Sequence, residues 1–363
     1  MGEVKISLIG TEHMAASLST SFKKLGNTIV PLKGCKVCWI AIDTPVNEKG
    51  QGNIKPVLDA IGDVKPQLKD GTLVIVSSQI PVGTSKMIVK ILGKKFGYAY
   101  MPELMRIGLG PSDFMNQSVI TIGVDDDKYK NVILKIFPGK KVYFTNVATG
   151  EMVKHATNAF LAASLCFIYD IADLCKAVGA DVTDVAKALK SDYRIGQEAY
   201  LDASAGFSGG HLERDLDYLQ KVAKSKKVKI PVLDAVMEKN LKRRQIVIKN
   251  LGNVKGKRIA FWGITYKPGA PPSESSLPAK LMRDLKRKGA KINIYDRLYT
   301  DTDPYESVKN CMAIVCITPW EDLLKVDYKK VSRQMKNPKI FFDARNFFKD
   351  TDMKGLTYIG VGR

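Results

Sequence analysis

The stretch GFSGGHLERD, residues 206–215, sets an imidazole, a carboxylate, a guanidinium and a second carboxylate (His211, Glu213, Arg214, Asp215) behind a run of glycines. Those groups can move protons, hold a hydroxyl or bind an anion. A glycine-rich charged segment is equally a solvated turn, and the stretch alone does not choose. Lys154 and Asn158 are spaced to share one face of a helix. Asn158 interrupts an apolar run, where a carboxamide is costly unless it has a hydrogen-bonding task. Lys267, Asp296, Thr318 and Arg345 stand at the carboxyl ends of predicted strands, where open parallel sheets bind ligands. Lys267 with Arg345 would clamp a phosphate, because a guanidinium pairs bidentately with its oxygens; exposed strand-end charge is the alternative. Cys35 and Cys38 form a C-x-x-C, but Cys38 lies inside the apolar run KVCWIAI and no second pair completes a zinc site. No metal is expected, and the cysteines read as buried reduced thiols.

These groups need elements to position them. In the N-terminal part, VKISLIG, TIVPL, KVCWIAID, TLVIVSS and VITIGV read as strands. Between them MAASLSTSFKKLG and IKPVLDAIGDVKPQL read as helices, the second interrupted by a proline. The alternation predicts a parallel sheet with helices on both faces. Residues 151–179 form one long helical pattern closed by glycine, and further helices run to about residue 250. The pattern then restarts with the strands GKRIAFWGI, KINIYD, MAIVCIT and KIFFDA and the helix PAKLMRDLKRKG. The expected class is α/β: two Rossmann-like parallel-sheet domains joined by a long central helix, with boundaries at 1–150, 151–250 and 251–363.

The chain has 363 residues, 45% hydrophobic and 26% charged, and a net charge of +20. That charge suits an anionic ligand such as a phosphorylated metabolite. The basic residues lie in short clusters with no basic-aromatic stripe or finger motif, so nucleic acid is not the expected partner. No run approaches a membrane span, and Met1 leads straight into a strand pattern, so a cytoplasmic protein without a signal peptide is expected.

Several motifs, taken in order, carry a resemblance: IPVGTS (80–85), MPELMRIG (101–108), the helix EMVKHATNAFLAASLCFIYDIADLC (151–175), RIG (194–196), GFSGGHLERD, GITYKPGAPPSESS (263–276) and FFDARNFF (341–348). Together they resemble the UDP-glucose/GDP-mannose dehydrogenase family along nearly the whole chain. The resemblance implies a homodimer built on the long helix, a nucleotide sugar such as UDP-glucose as ligand, NAD as cofactor and a place in polysaccharide biosynthesis. Such enzymes oxidise the sugar's C6 alcohol to a carboxylate. Their cysteine forms a thiohemiacetal and then a thioester, since a thiolate is both a good nucleophile and a good leaving group.

Carried over residue by residue, the resemblance assigns Glu103, Lys154, Asn158 and Asp215 to the sugar and its water or oxyanion. It assigns Arg194, Phe207, Gly209, Gly210, Lys267 and Arg345 to substrate binding, and Gly10, Thr11, Pro81, Gly83 and Thr84 to the cofactor. The departures are as informative. His211 occupies the cysteine position and Arg214 the lysine position. Ile107 replaces a glutamate that assists hydrolysis, and an isoleucine moves no proton. Gln79 replaces a threonine. In the phosphate fingerprint, Gly10-Thr11-Glu12-His13-Met14-Ala15, Glu12 sets a carboxylate where backbone should approach a pyrophosphate. Lys33 stands where the family closes its second strand with a ribose-binding aspartate. TIVPL then runs almost directly into KVCWIAI, too short for an ordinary parallel crossover. The N-terminal domain is expected to be truncated there, with residues 27–33 an edge strand or loop. The expected function is nucleotide-sugar binding with the oxidation lost or impaired. The alternative is an enzyme still active on nucleotide sugars without the cysteine.

Overall fold

A computed structural model of the chain describes residues 3–10, 12–46, 52–103, 110–207, 210–265 and 267–363, excepting the side chains of Glu12 and His13. The described residues divide into two compact units, those from 3 to 46, 52 to 158 and 215 to 229, and those from 159 to 214 and 230 to 363.

The first unit runs β1 (Lys5–Gly10), α1 (Glu12–Lys24), β2 (Thr28–Ile29), β3 (Val37–Ala41), α2 (Lys55–Val64), β4 (Leu73–Val76), α3 (Thr84–Leu92), β5 (Gly97–Tyr100), α4 (Gly110–Asn116), β6 (Val119–Val124), α5 (Lys130–Ile136) and β7 (Lys141–Thr145). Among the described residues the strands form one sheet in the order β2-β1-β3-β4-β5-β6-β7. β3 and β4 are buried along their whole length, which is why their sequences are unbroken apolar runs rather than alternating ones. One face packs Phe22, Trp39, Phe114 and Phe137 together, with Phe22 and Trp39 ring centroids 4.7 Å apart. The other face takes Cys38, Ile40, Val57, Ile61 and Ile88. Cys35 and Cys38 both lie in that second layer, and burial pushes the Cys38 thiol up to about 12.

Two details differ from regular alternation. β2 is a stub that pairs only with Lys5 and Ile6, and β3 starts on the opposite side of β1 at Val37 against Ile6. Residues 30–36 therefore pass beneath the start of β1, and no long crossover is required because β2 barely advances along the sheet. The sheet is also not wholly parallel: β6 runs antiparallel to β5. Between these two strands lies α4, whose Phe114 packs on Phe22 of α1.

α6 (Val147–Val178) is followed by Gly179 at φ +75°, the left-handed closing residue expected for glycine. α7 (Val182–Ser191), α8 (Leu212–Lys226), α9 (Pro231–Arg243) and α10 (Gln245–Leu251) come next. The second sheet is built from β8 (Arg258–Trp262), α11 (Leu277–Arg287), β9 (Lys291–Tyr295), α12 (Pro304–Ser307), β10 (Cys311–Cys316), α13 (Tyr328–Gln334), β11 (Ile340–Asp343) and β12 (Thr357–Ile359). It is parallel throughout, in the order β12-β11-β10-β8-β9. Trp262, Tyr328, Phe341 and Phe348 stack in its core. All six cysteines are buried, and no disulfide joins them. No described helix is long and apolar enough to cross a membrane.

Candidate functional site

Within the first unit, the polar groups gather along one stripe of α6. Glu151, His155 and Asn158 follow helical spacing, so they lie on one face, and all three are at least nine-tenths buried. Glu151 and His155 grip the segment between β4 and the first turn of α3. The Glu151 carboxylate accepts from Gly83 N (2.6 Å), Ser85 N (2.8 Å) and Ser85 Oγ (2.6 Å). It thereby caps the first turn of α3 with negative charge, where the helix dipole favours it. Ser85 has spent its one proton on Glu151, so the Tyr98 hydroxyl, 2.8 Å away, donates to Ser85. Burial pushes that phenol well above its usual range, which keeps it a donor. The His155 Nε2 donates to Ile80 O at 2.8 Å.

The same stripe meets Asp215, fully buried in α8. Asn158 Nδ2 donates to Asp215 Oδ2, and Gln79 Nε2 donates to Oδ1. His155 Nδ1 lies 3.2 Å from Oδ1, close enough for an ion pair though without the alignment of a hydrogen bond. The Tyr218 ring stands edge-on to His155, centroids 5.7 Å apart. Lys154 is almost wholly buried; its ammonium donates to Glu103 O and lies 3.7 Å from Glu103 Oε2. Of the residues expected at the sugar, the structure thus brings Asn158 to Asp215 and Lys154 to Glu103. Glu151 and His155 were not anticipated. The signal was present, since residues 151, 155 and 158 are polar positions at helical period in an apolar helix.

In the second unit, the glycine-rich stretch is no free turn at its start: Ala203–Phe207 is buried. Asn240 holds the backbone of Phe207 from both sides, accepting from its N at 2.9 Å and donating to its O at 3.3 Å. Arg243 Nε donates to Ser204 O (3.0 Å), and Tyr169 OH lies 2.9 Å from Ser204 Oγ. Glu213 accepts from Asn240 Nδ2 (2.9 Å) and from Lys280. Arg214 is buried, and its Nη2 lies 3.2 Å from Nδ1 of the exposed His211. A guanidinium only donates, so Nδ1 of His211 is the acceptor and its proton sits on Nε2.

The strand-end residues separate into two kinds. Asp296 and Thr318 are fully buried in turn structure rather than facing a ligand. Asp296 accepts from Ile264 N (3.0 Å) and Leu298 N (3.1 Å), and Thr318 Oγ1 donates to Thr265 O (2.7 Å). A side chain on Gly263 would strike Thr318 at 2.2 Å, so this closing turn accepts only glycine. Arg345, oriented through its backbone N by Asp343 (3.0 Å), lines a cavity of about 350 Å³ with Lys187, Lys190, Lys349 and Gln197. Lys267 is not among the residues lining it. Arg345 stands there among lysines, two of them from one face of α7. Arg194 is exposed and turned onto Asp192, with Nε 3.0 Å from Oδ1. Gly210 is partly buried.

Among the cofactor residues, an added Cβ on Gly10 would lie 2.5 Å from Ala41 O, so backbone crowding demands the glycine there. The Gly83 amide is committed to Glu151, Thr84 is buried and Pro81 is partly buried. Lys33 sits in a short 3₁₀ turn, Leu32–Gly34, after the β2 stub. Thr11, Ile107 and Gly209, and the side chain of Glu12, lie outside the described residues.

Three family models match in succession: the NAD binding domain of the UDP-glucose/GDP-mannose dehydrogenase family over residues 4–140, its central domain over 148–242 and its UDP binding domain over 260–350. A UDP-glucose 6-dehydrogenase of Bacillus subtilis is 30% identical, over 92% of this chain and 77% of its own length. One of Rickettsia bellii is 28% identical, over 91% and 82%. A UDP-glucose dehydrogenase structure from Pyrobaculum islandicum, 21% identical, superposes with a TM-score of 0.85 over 99% of this chain and 98% of that one. A UDP-D-ManNAc dehydrogenase from Pyrococcus horikoshii, 20% identical, does so with 0.85 over 99% of each. The chain belongs to the UDP-glucose/GDP-mannose dehydrogenase family, whose members are NAD-dependent UDP-sugar dehydrogenases.

Proposed function

We propose that this chain binds a nucleotide sugar of the UDP-glucose type and that the family's covalent oxidation at C6 is lost or strongly impaired. The observation that carries the reading is a contrast within one stretch. Asp215 is fully built into a buried polar cluster with Asn158 and Gln79, whereas four residues earlier an exposed imidazole stands in the cysteine position with its Nδ1 facing Arg214. An imidazole is a hydrogen-bonding group for a hydroxyl. It does not supply the sulfur on which thiohemiacetal and thioester depend. The cavity holding Arg345, Lys187, Lys190 and Lys349 is suited to phosphate oxygens and gives the high positive charge a specific use.

For the dinucleotide, the residues present fit poorly. β2 ends at Ile29 beside the start of β1, so among the described residues the sheet has no strand along the C-terminal half of β1 on that side, where the adenosine of such folds rests. Residues 28–36 contain no carboxylate for a ribose, and Gly83 spends its amide on Glu151. A homodimer is part of the same proposal. Phe160, Phe167 and Leu174 recur every seven residues on α6 with 71%, 50% and 61% exposure, a stripe that a second copy of the helix would cover.

The test is calorimetry. UDP-glucose titrated into the protein should give saturable heat, and Arg345→Ala should weaken it by about tenfold, as loss of a charged hydrogen bond predicts. NAD titrated into the UDP-glucose complex should give none. NAD binding accompanied by NADH formation would overturn the loss of oxidation and favour the active alternative.

A further inference from the structure

We propose that His155 is a positioning residue that holds a proton on Nδ1 against the Asp215 carboxylate, and that this buried pair fixes the carboxamide of Asn158 for the ligand. The argument begins with proton positions. His155 Nε2 faces the Ile80 carbonyl at 2.8 Å, and a carbonyl oxygen only accepts, so Nε2 carries hydrogen. A neutral imidazole would then bury the Nδ1 lone pair 3.2 Å from Asp215 Oδ1, with both side chains at zero exposure and no hydrogen-bond partner for Nδ1. Two electron-rich atoms side by side and sealed from water are unfavourable. A proton on Nδ1 removes the conflict and gives an imidazolium beside a carboxylate.

The surroundings select that placement. Asp215 accepts from Gln79 on Oδ1 and from Asn158 on Oδ2, donors that favour its charged form, and a proton on Nδ1 adds an opposite charge beside it. The other charges nearest on α6 are engaged elsewhere: Glu151 with Gly83 and Ser85, and Lys154 with Glu103. From α8, Tyr218 presents a ring edge to His155. With Nδ2 given to Asp215, Asn158 offers a ligand its Oδ1 as an acceptor, matched to a sugar hydroxyl. Gln79, which stands where the resemblance places a threonine, is a partner in the same cluster. This ligand role rests on the nucleotide-sugar reading; the proton on Nδ1 does not.

The experiment uses the full chain labelled with ¹⁵N in histidine, at pH 7 without ligand. The chain has only three histidines, so comparison with His155→Gln assigns the His155 signals. Both ring nitrogens of His155 should show protonated imidazolium shifts, and in Asp215→Asn the Nδ1 should become the unprotonated nitrogen of a neutral ring. A neutral His155 in the unmodified protein overturns the proposal. UDP-glucose affinity is then measured for His155→Leu, Asp215→Asn and the double variant. Coupling predicts that His155→Leu alone weakens binding by about tenfold or more, because it leaves a buried charge without its partner, and that adding Asp215→Asn recovers part of the loss. Simple addition of the two losses overturns the positioning role. If the unmodified protein binds no UDP-glucose, the nucleotide-sugar reading and the ligand role fail together, while the NMR result still decides the proton.

Discussion

His211 and Asp215 show how much a single side chain decides. Both belong to one short charged stretch, yet Asp215 is sealed among amide donors while His211 is exposed and tied to Arg214. Restoring the thiol does not restore the surroundings a thiolate chemistry uses, because Gln79 and Ile107 remain at the positions where the resemblance places a threonine and a glutamate. His211→Cys is therefore expected to produce no NADH from UDP-glucose and NAD above the rate of the unmodified protein. The check is absorbance at the nicotinamide band under saturating sugar. Substantial turnover by this one variant would place the barrier in the missing sulfur alone. Asp215 was readable from the motif that contains it. The clamping of its neighbours by Asn240 and Arg243 was not, since both come from a helix with no motif of its own.

At the scale of elements, α6 acts as a rail whose polar stripe holds the segment between β4 and α3. Glu151 is the firmest of these holds, with three short hydrogen bonds at 1% exposure. Glu151→Ala leaves the first turn of α3 without its acceptor, and about 2–3 kcal/mol of stability should be lost in urea unfolding. Amide exchange should accelerate at Ser85. A loss below about 0.5 kcal/mol, the range of surface substitutions, would mean that the stripe is not what holds the segment. The long helix was plain from its apolar length and its closing glycine. The β2 stub was foreseen only as an edge strand or loop, and the reversal of β6 was not foreseen. Strand direction depends on the path of the connection in space, and local pattern does not record that.

At the scale of the molecule, the features that stand out are the net charge and the exposed heptad on α6. The proposed dimer predicts that the unmodified chain sediments as twice its 40.1 kDa mass, and that Phe160→Asp with Phe167→Asp yields a folded monomer. Burying two carboxylates in a helix–helix contact costs several kcal/mol per ion, enough to dissociate a dimer at micromolar concentration. A double variant that remains dimeric would move the interface elsewhere. The positive charge is partly gathered at one place, where Lys187, Lys190, Arg345 and Lys349 share a cavity. Composition announced an anionic ligand without saying where it would bind.

The sequence by itself determined the two sheets, the long helix between them, the family and the residues at which the chain departs from it. Those properties are written in local periodicity and in short motifs, where neighbours along the chain are neighbours in space. Only the tertiary structure decided which polar groups meet. Gln79 reaches Asp215 across 136 residues and Glu151 reaches Gly83 across 68, and no window of sequence spans such pairs. The same holds for the strand ends: Asp296 and Lys267 look alike as polar residues after a strand, yet Asp296 turns inward to satisfy buried backbone amides. Burial, which sets whether a charge must find a partner or may face a ligand, is a property of the folded whole.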